Sequence, residues 1–180
     1  MPMVELKVSG YKLTEGFIRE LETKTAQSLR DTISTSFAVG LGWGVDDPNH
    51  KMAKATVERV MPGWTMINVE ECVWAWGGVR NHDVVVRLQT FVLAGAVALE
   101  WRRAIATNLY KLMKEMFSDA GDRLKIFNTV VEGEVTMYLP PAQFNGLLAG
   151  NDPEKELHVD EIVTWMTDRI KRNIERGSAD

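Results

Sequence analysis

The chain has 180 residues, about the length of one domain. Its 45% hydrophobic and 26% charged residues exclude a wholly disordered polymer, because enough apolar surface is present to offset the ordering entropy. A net charge of −4 argues against nucleic acid as a partner, and one cysteine excludes an internal disulfide or a multi-cysteine metal site.

Met3 to Val8 alternates, with Val4, Leu6 and Val8 on one face, which predicts a half-buried strand. Gly10 breaks it, and Thr14 is placed to cap a helix over about 15–33, where Phe17, Leu21, Thr25 and Leu29 recur every four residues. Residues 34–48, with Gly40, Gly42 and Gly44 around Trp43, have loop composition. A short helix is expected over 49–60, a turn at Pro62-Gly63, a second strand over 64–69 and a third, rich in valine, over 83–91. A helix over 98–120 follows, presenting Ile105, Leu109, Leu112, Met113 and Met116, with Gly121 at its end. Strands are expected over 124–131 and, more briefly, 135–139. The stretch 152–175 spaces Ile162, Val163, Trp165, Met166, Ile170 and Ile174 as an amphipathic helix.

Strand, helix, strand, repeated once, predicts an α/β (α+β) fold. Two tandem β-α-β units, each with parallel strands, form a four-stranded sheet with helices on one face, and a C-terminal helix is added. The other face of the sheet then needs a cover, and further copies of the chain are the natural candidate. The N-terminus lacks the basic and apolar regions of a signal peptide, and Phe91–Leu99 falls far short of the ~20 residues of a spanning helix. A cytoplasmic protein with no membrane partner is expected.

Pro2 carries the chemistry. Initiator methionine is usually removed before a small residue, which would leave a prolyl secondary amine at the head of a core strand. An α-amino group titrates at about 7.7–8.0 in reference peptides, and burial or nearby cations lower that value. Such an amine can take a proton from carbon and return it elsewhere. The three histidines match no metal spacing, the 40–44 glycines lack the lysine and the strand-to-helix setting of a phosphate loop, and no cofactor is expected. Arg102-Arg103 reads as a solvated helix face.

Pro2-Met3-Val4-Glu5-Leu6-Lys7-Val8 followed by Gly10 and a helix from Glu15-Gly16-Phe17 resembles the N-terminus of the tautomerase superfamily. The likeness is strongest to its macrophage migration inhibitory factor branch. Glu71 to Gly78, with Trp74 and Trp76 before the Gly-Gly pair, and Gly121 to Ile126 agree with it in order and setting. The resemblance implies a homotrimer in which the N-terminal proline acts as general acid/base on small keto–enol substrates, often carboxylates. It places Arg59 where that branch holds substrate with a lysine, Trp74 near an aromatic wall position of the 4-oxalocrotonate tautomerases, and Thr90 and Phe91 where a backbone amide is offered. The family pattern departs at Lys125, where the branch has tyrosine, and at Phe127, where it has asparagine. Lys12 is a candidate substitute for the arginine of the oxalocrotonate branch. The branch's Cys-x-x-Cys is missing. The tautomerase-like domain is expected over 1–139 with an insertion at about 34–62, and a C-terminal extension over 140–180 belongs to the same domain. Keto–enol isomerase chemistry is the expectation. The dehalogenase, hydratase or decarboxylase chemistry of the same superfamily, or a non-catalytic binding role, remains an alternative.

Overall fold

The structure, a computed structural model, describes residues 2–60, 65–76, 78–80, 82–93, 97–133 and 159–179. In chain order it has β1 (Met3–Ser9), α1 (Glu15–Gly40), α2 (His50–Val60), β2 (Met66–Glu71), β3 (Ala75–Trp76), β4 (Val79–Arg80), β5 (Val84–Leu93), α3 (Leu99–Met116), a 3-10 turn (Ser118–Arg123), β6 (Leu124–Gly133) and α4 (Val159–Arg176). The expected strand over 135–139, the turn at 62–63 and the start of the last helix before 159 lie outside the described residues.

The four long strands form one sheet in the order β2-β1-β5-β6. β1 runs parallel to β2 and antiparallel to β5, and β5 runs parallel to β6. Each parallel pair is joined by a helical crossover, α1 with α2 in the first case and α3 in the second, as two β-α-β units require. The α+β fold class read from the sequence is the one observed.

Alternation fixes the two faces. Val4, Leu6, Val8, Val86, Leu88 and Val92 are at most 3% exposed and join one core with Leu21 and Leu29 of α1 and Ile105, Leu109 and Met113 of α3. The opposite face is laid out by the register in rows: Met66, Met3, Phe91 and Val131; then Asn68, Glu5, Gln89 and Thr129; then Glu70, Lys7, Arg87 and Phe127. Lys7 and Glu70 form an ion pair at 3.3 Å there. Met66 is 54% exposed and Phe127 45% exposed, so apolar surface stands uncovered on this face.

Three departures from the sequence reading have physical causes. The first helix does not stop at 33 but runs to Gly40. Two hydroxyls of this last stretch bond inside the helix: Thr32 Oγ1 donates to Ser28 O at 2.9 Å and Thr35 Oγ1 to Asp31 O at 2.8 Å. Ser34 Oγ also reaches Glu58 of α2, and Lys54 of α2 is held by Asp31, so small residues in this last stretch admit the second helix. A polar run read as loop is therefore a helix–helix contact. The third helix ends at Met116, and Gly121, at φ 55°, instead lies in the 3-10 turn that leads into β6. The β3–β4 hairpin was not expected.

α4 packs on α2. Its Met166 and Ile170 are fully buried, and Asn173 Nδ2 donates to Thr56 Oγ1 at 3.1 Å with both residues buried.

Gly10 turns the chain out of β1 with φ +73°, and a Cβ there would stand 2.2 Å from the Asp83 carbonyl oxygen. Left-handed backbone alone costs an L-residue about 1–2 kcal/mol, and the contact is with backbone that cannot swing away. Gly10→Ala is therefore expected to lower unfolding free energy by at least that amount in urea titration; an unchanged midpoint would contradict this turn.

Candidate functional site

Pro2 stands immediately before β1, a strand paired on both sides. It is buried, and its carbonyl accepts a hydrogen bond from Met66 N at 3.1 Å. Proline brings no N–H, so it suits the first position of a strand, where the ladder asks no donor of it. One register step beyond Met3–Phe91 sets Pro2 opposite Val92, and Val92 pairs with Glu132 of β6. This end of the sheet is thus built from the starts of β1 and β2 and the ends of β5 and β6.

The register sorts the residues singled out from the sequence into two groups. Thr90 and Phe91 lie at the Pro2 end, on opposite faces: Thr90 pairs with Val4 and points into the core, whereas Phe91 pairs with Met3 on the uncovered face. Arg59 stands exposed in the last turn of α2, six residues before Thr65, where the chain re-enters beside Pro2. Lys125, Phe127, Lys12 and Trp74 belong to the other end. Lys125 pairs with Val85, which faces Ser9 at the finish of β1. From the Pro2 row to that row is seven residues along β5, or about 23 Å at the rise of a strand. Within one chain, then, these four residues do not meet Pro2.

The far end has its own architecture. Lys125 and Phe127 line a cleft of ≈ 310 Å³ with Tyr110, Lys114 and Gly121, and Lys125 Nζ donates to Asp122 O at 2.8 Å. Trp74 N donates to Ser9 Oγ at 3.3 Å, and the Arg87 guanidinium lies 5.9 Å from the Trp74 ring centre. Lys12 is exposed, next to Tyr11, which packs against Phe17 and Phe117. Tyr11 donates its hydroxyl to Asp119 at 3.0 Å; burial first, then that carboxylate, pushes the phenol above the usual tyrosine value. Among the described residues no three His, Cys, Asp or Glu side chains gather as a metal site would need, and no helix is long and apolar enough to cross a membrane.

Sequence reasoning missed Arg102. Far from being a solvated helix face, it sits in the first turn of α3 with its side chain 26% exposed and Nη1 2.5 Å from Glu132 Oε2. The pair stands at the Pro2 end. Only the strand register reveals this, because 30 residues separate the two partners.

No family model matches the chain, and no curated protein does. Among solved structures it is similar to a macrophage migration inhibitory factor-like protein of Entamoeba histolytica, with 13% identity and a TM-score of 0.43 over 74% of this chain and 89% of that one. It is similar to Pt0534 inactivated by 2-oxo-3-pentynoate, with 11% identity and a TM-score of 0.47 over 75% and 90%. MIF2 of Leishmania major shares 11% identity and a TM-score of 0.41 over 73% and 89%. At 11–13% identity the likeness is one of chain course.

Thr90 is fully buried, and its hydroxyl finds no hydrogen-bond partner among the described residues. An unmade buried hydroxyl costs about 1–3 kcal/mol, and replacing it with a methyl group removes that cost. Thr90→Val should keep or raise the thermal midpoint. A fall would mean that the hydroxyl is bonded in the folded chain.

Proposed function

We propose that this chain is a keto–enol tautomerase of the tautomerase superfamily, acting through the nitrogen of Pro2 once Met1 has been removed. The observation that carries the reading is Pro2 itself, buried at the head of a central strand that is paired on both sides. A nitrogen there is fixed by the backbone rather than by a side-chain rotamer, and burial favours the neutral form of an amine. The parallel–antiparallel–parallel sheet of two β-α-β units and the three sequence blocks support the same reading.

The step needs no cofactor. An α-keto acid exchanges a proton between the carbon next to its carbonyl and the carbonyl oxygen. The neutral prolyl nitrogen accepts one proton, the substrate passes through an enolate, and the protonated nitrogen gives the proton back at the other atom. Donors directed at the enolate oxygen lower the barrier further.

The 23 Å between Pro2 and Lys125 shapes the assembly we propose. Lys125, Lys12, Trp74 and Phe127 join a Pro2 site only if a second copy contributes them. The uncovered sheet face, with Met3, Met66, Phe91 and Phe127, supports self-association, and a homotrimer is the arrangement we assign. Arg59 of the same chain is the cation we place at the mouth of the site. The 34–62 insertion and the 140–180 extension form one domain with the 1–139 core, and the Asn173–Thr56 bond between α4 and α2 supports that.

The test combines intact mass with ketonisation of phenylpyruvate and hydroxyphenylpyruvate. We expect a mass lacking Met1 and saturable turnover, with kcat lowered about 10²–10⁴-fold in Pro2→Ala, the range that general acid/base catalysis supplies. Retained Met1, or full turnover in Pro2→Ala, would remove the amine from the mechanism. Saturable binding without turnover would leave the binding role in its place.

A further inference from the structure

We infer that the Met1–Pro2 bond is a processing site gated by folding: a methionine aminopeptidase reaches it only while β1 is outside the sheet, and a folded chain that still carries Met1 keeps it. The gate stands on β1 alone; that processing frees a working amine rests on the reading of Pro2 above. Pro2 is buried, and its carbonyl accepts the Met66 N–H at 3.1 Å. From Met3 to Val8 every residue is paired with β2 on one side and β5 on the other. Val4, 0% exposed, is already seated in the core.

Hydrolysis adds water across the amide: the hydroxyl goes to the Met1 carbonyl carbon and a proton to the Pro2 nitrogen, which leaves as a secondary amine. An aminopeptidase holds the free α-amine and this carbonyl in a recessed pocket, so the residues that follow must be drawn out to thread its entrance. Here those residues are Pro2, Met3 and Val4. Drawing them out breaks ladder bonds on both sides of a central strand and pulls Val4 from the core. Core strands open only with the domain as a whole, so trimming of the folded chain is slowed by the folding equilibrium constant, about 10³-fold or more. The unfolded chain has no such barrier, and the topology prolongs that state. Met3 pairs with Met66 and with Phe91, so β1 is not locked on both sides until Phe91 has been made. Synthesis to that point takes roughly 5–20 s at roughly 5–20 residues per second. A chain that folds before it is trimmed is closed from then on.

The experiment makes the full chain in a bacterial translation mixture that contains deformylase but no methionine aminopeptidase. The purified aminopeptidase is added either from the start or after the released chain has folded, and intact mass reads the terminus. A synthetic peptide of residues 1–9 gives the rate for the same terminus without the fold. Enzyme present from the start should remove Met1. Enzyme added after folding should leave it, with trimming about 10³-fold or more slower than in the peptide. Gly10→Ala, which lowers stability without changing the first nine residues, should speed trimming of the folded chain about five- to thirtyfold, the factor its expected loss of stability implies. Equal rates for folded chain and peptide would overturn the gate. So would a Gly10→Ala chain that unfolds earlier in urea yet is trimmed no faster, or Met1 persisting in the peptide or in the chain exposed from the start. Turnover of phenylpyruvate by the two products separates the gate from the reading of Pro2. Gated trimming with equal turnover by trimmed and untrimmed chains would keep the gate and remove the amine. Free trimming of the folded chain, with turnover only after trimming, would do the reverse.

Discussion

A proline set directly before a central strand is the constraint on which the rest depends. β1 is hydrogen-bonded to β2 on one side and β5 on the other, so its backbone is committed along its whole length. Pro2 extends the ladder by its carbonyl, which takes the Met66 N–H, and has no N–H to add. The sheet therefore fixes the position of the Pro2 nitrogen without using it. Val4, Leu6 and Val8, all at most 1% exposed, anchor the strand in the core.

The same register that fixes Pro2 decides which other groups can reach it. Side chains two residues apart share a face, and neighbouring strands lie about 4.8 Å apart, so position in the ladder translates directly into distance. By that measure Thr90, Val92, Glu132 and the Arg102 that Glu132 holds are near neighbours, while Lys125 and Trp74 are a full strand length away. The polar end of the molecule at Lys125, with its cleft and the Tyr11–Asp119 bond, is a separate neighbourhood of one chain and comes to Pro2 only through another copy.

Much of the fold was legible in the sequence. Alternation at Val4, Leu6 and Val8 and fourfold spacing in Phe17, Leu21, Thr25 and Leu29 are local signals, and they marked β1 and α1 correctly. The crossover between each strand pair followed from their order. What failed was also local in origin: Ser34 and Thr35 have loop composition, but their hydroxyls bond inside α1 or across to α2, a contact that no window of sequence contains. The site was less legible. Pro2 stands out because the role we propose for it is read from its position alone. Arg102 does not, because its ion pair is with Glu132, far along the chain, and only the sheet register puts Glu132 at the Pro2 end, across β5 from the first strand. The grouping of Lys125, Lys12, Trp74 and Phe127 with Pro2 came from resemblance, and the strand lengths separate them.

The most direct measurement of the central claim is the pH dependence of alkylation at the chain terminus by bromopyruvate, followed by intact mass and peptide mapping. The prolyl nitrogen displaces bromide only when unprotonated, so its rate reports the free amine. The account predicts modification at Pro2 with a midpoint below the ~7.7–8.0 of an ordinary α-amino group, as burial demands. No adduct at Pro2, or a midpoint at or above that value, would contradict it.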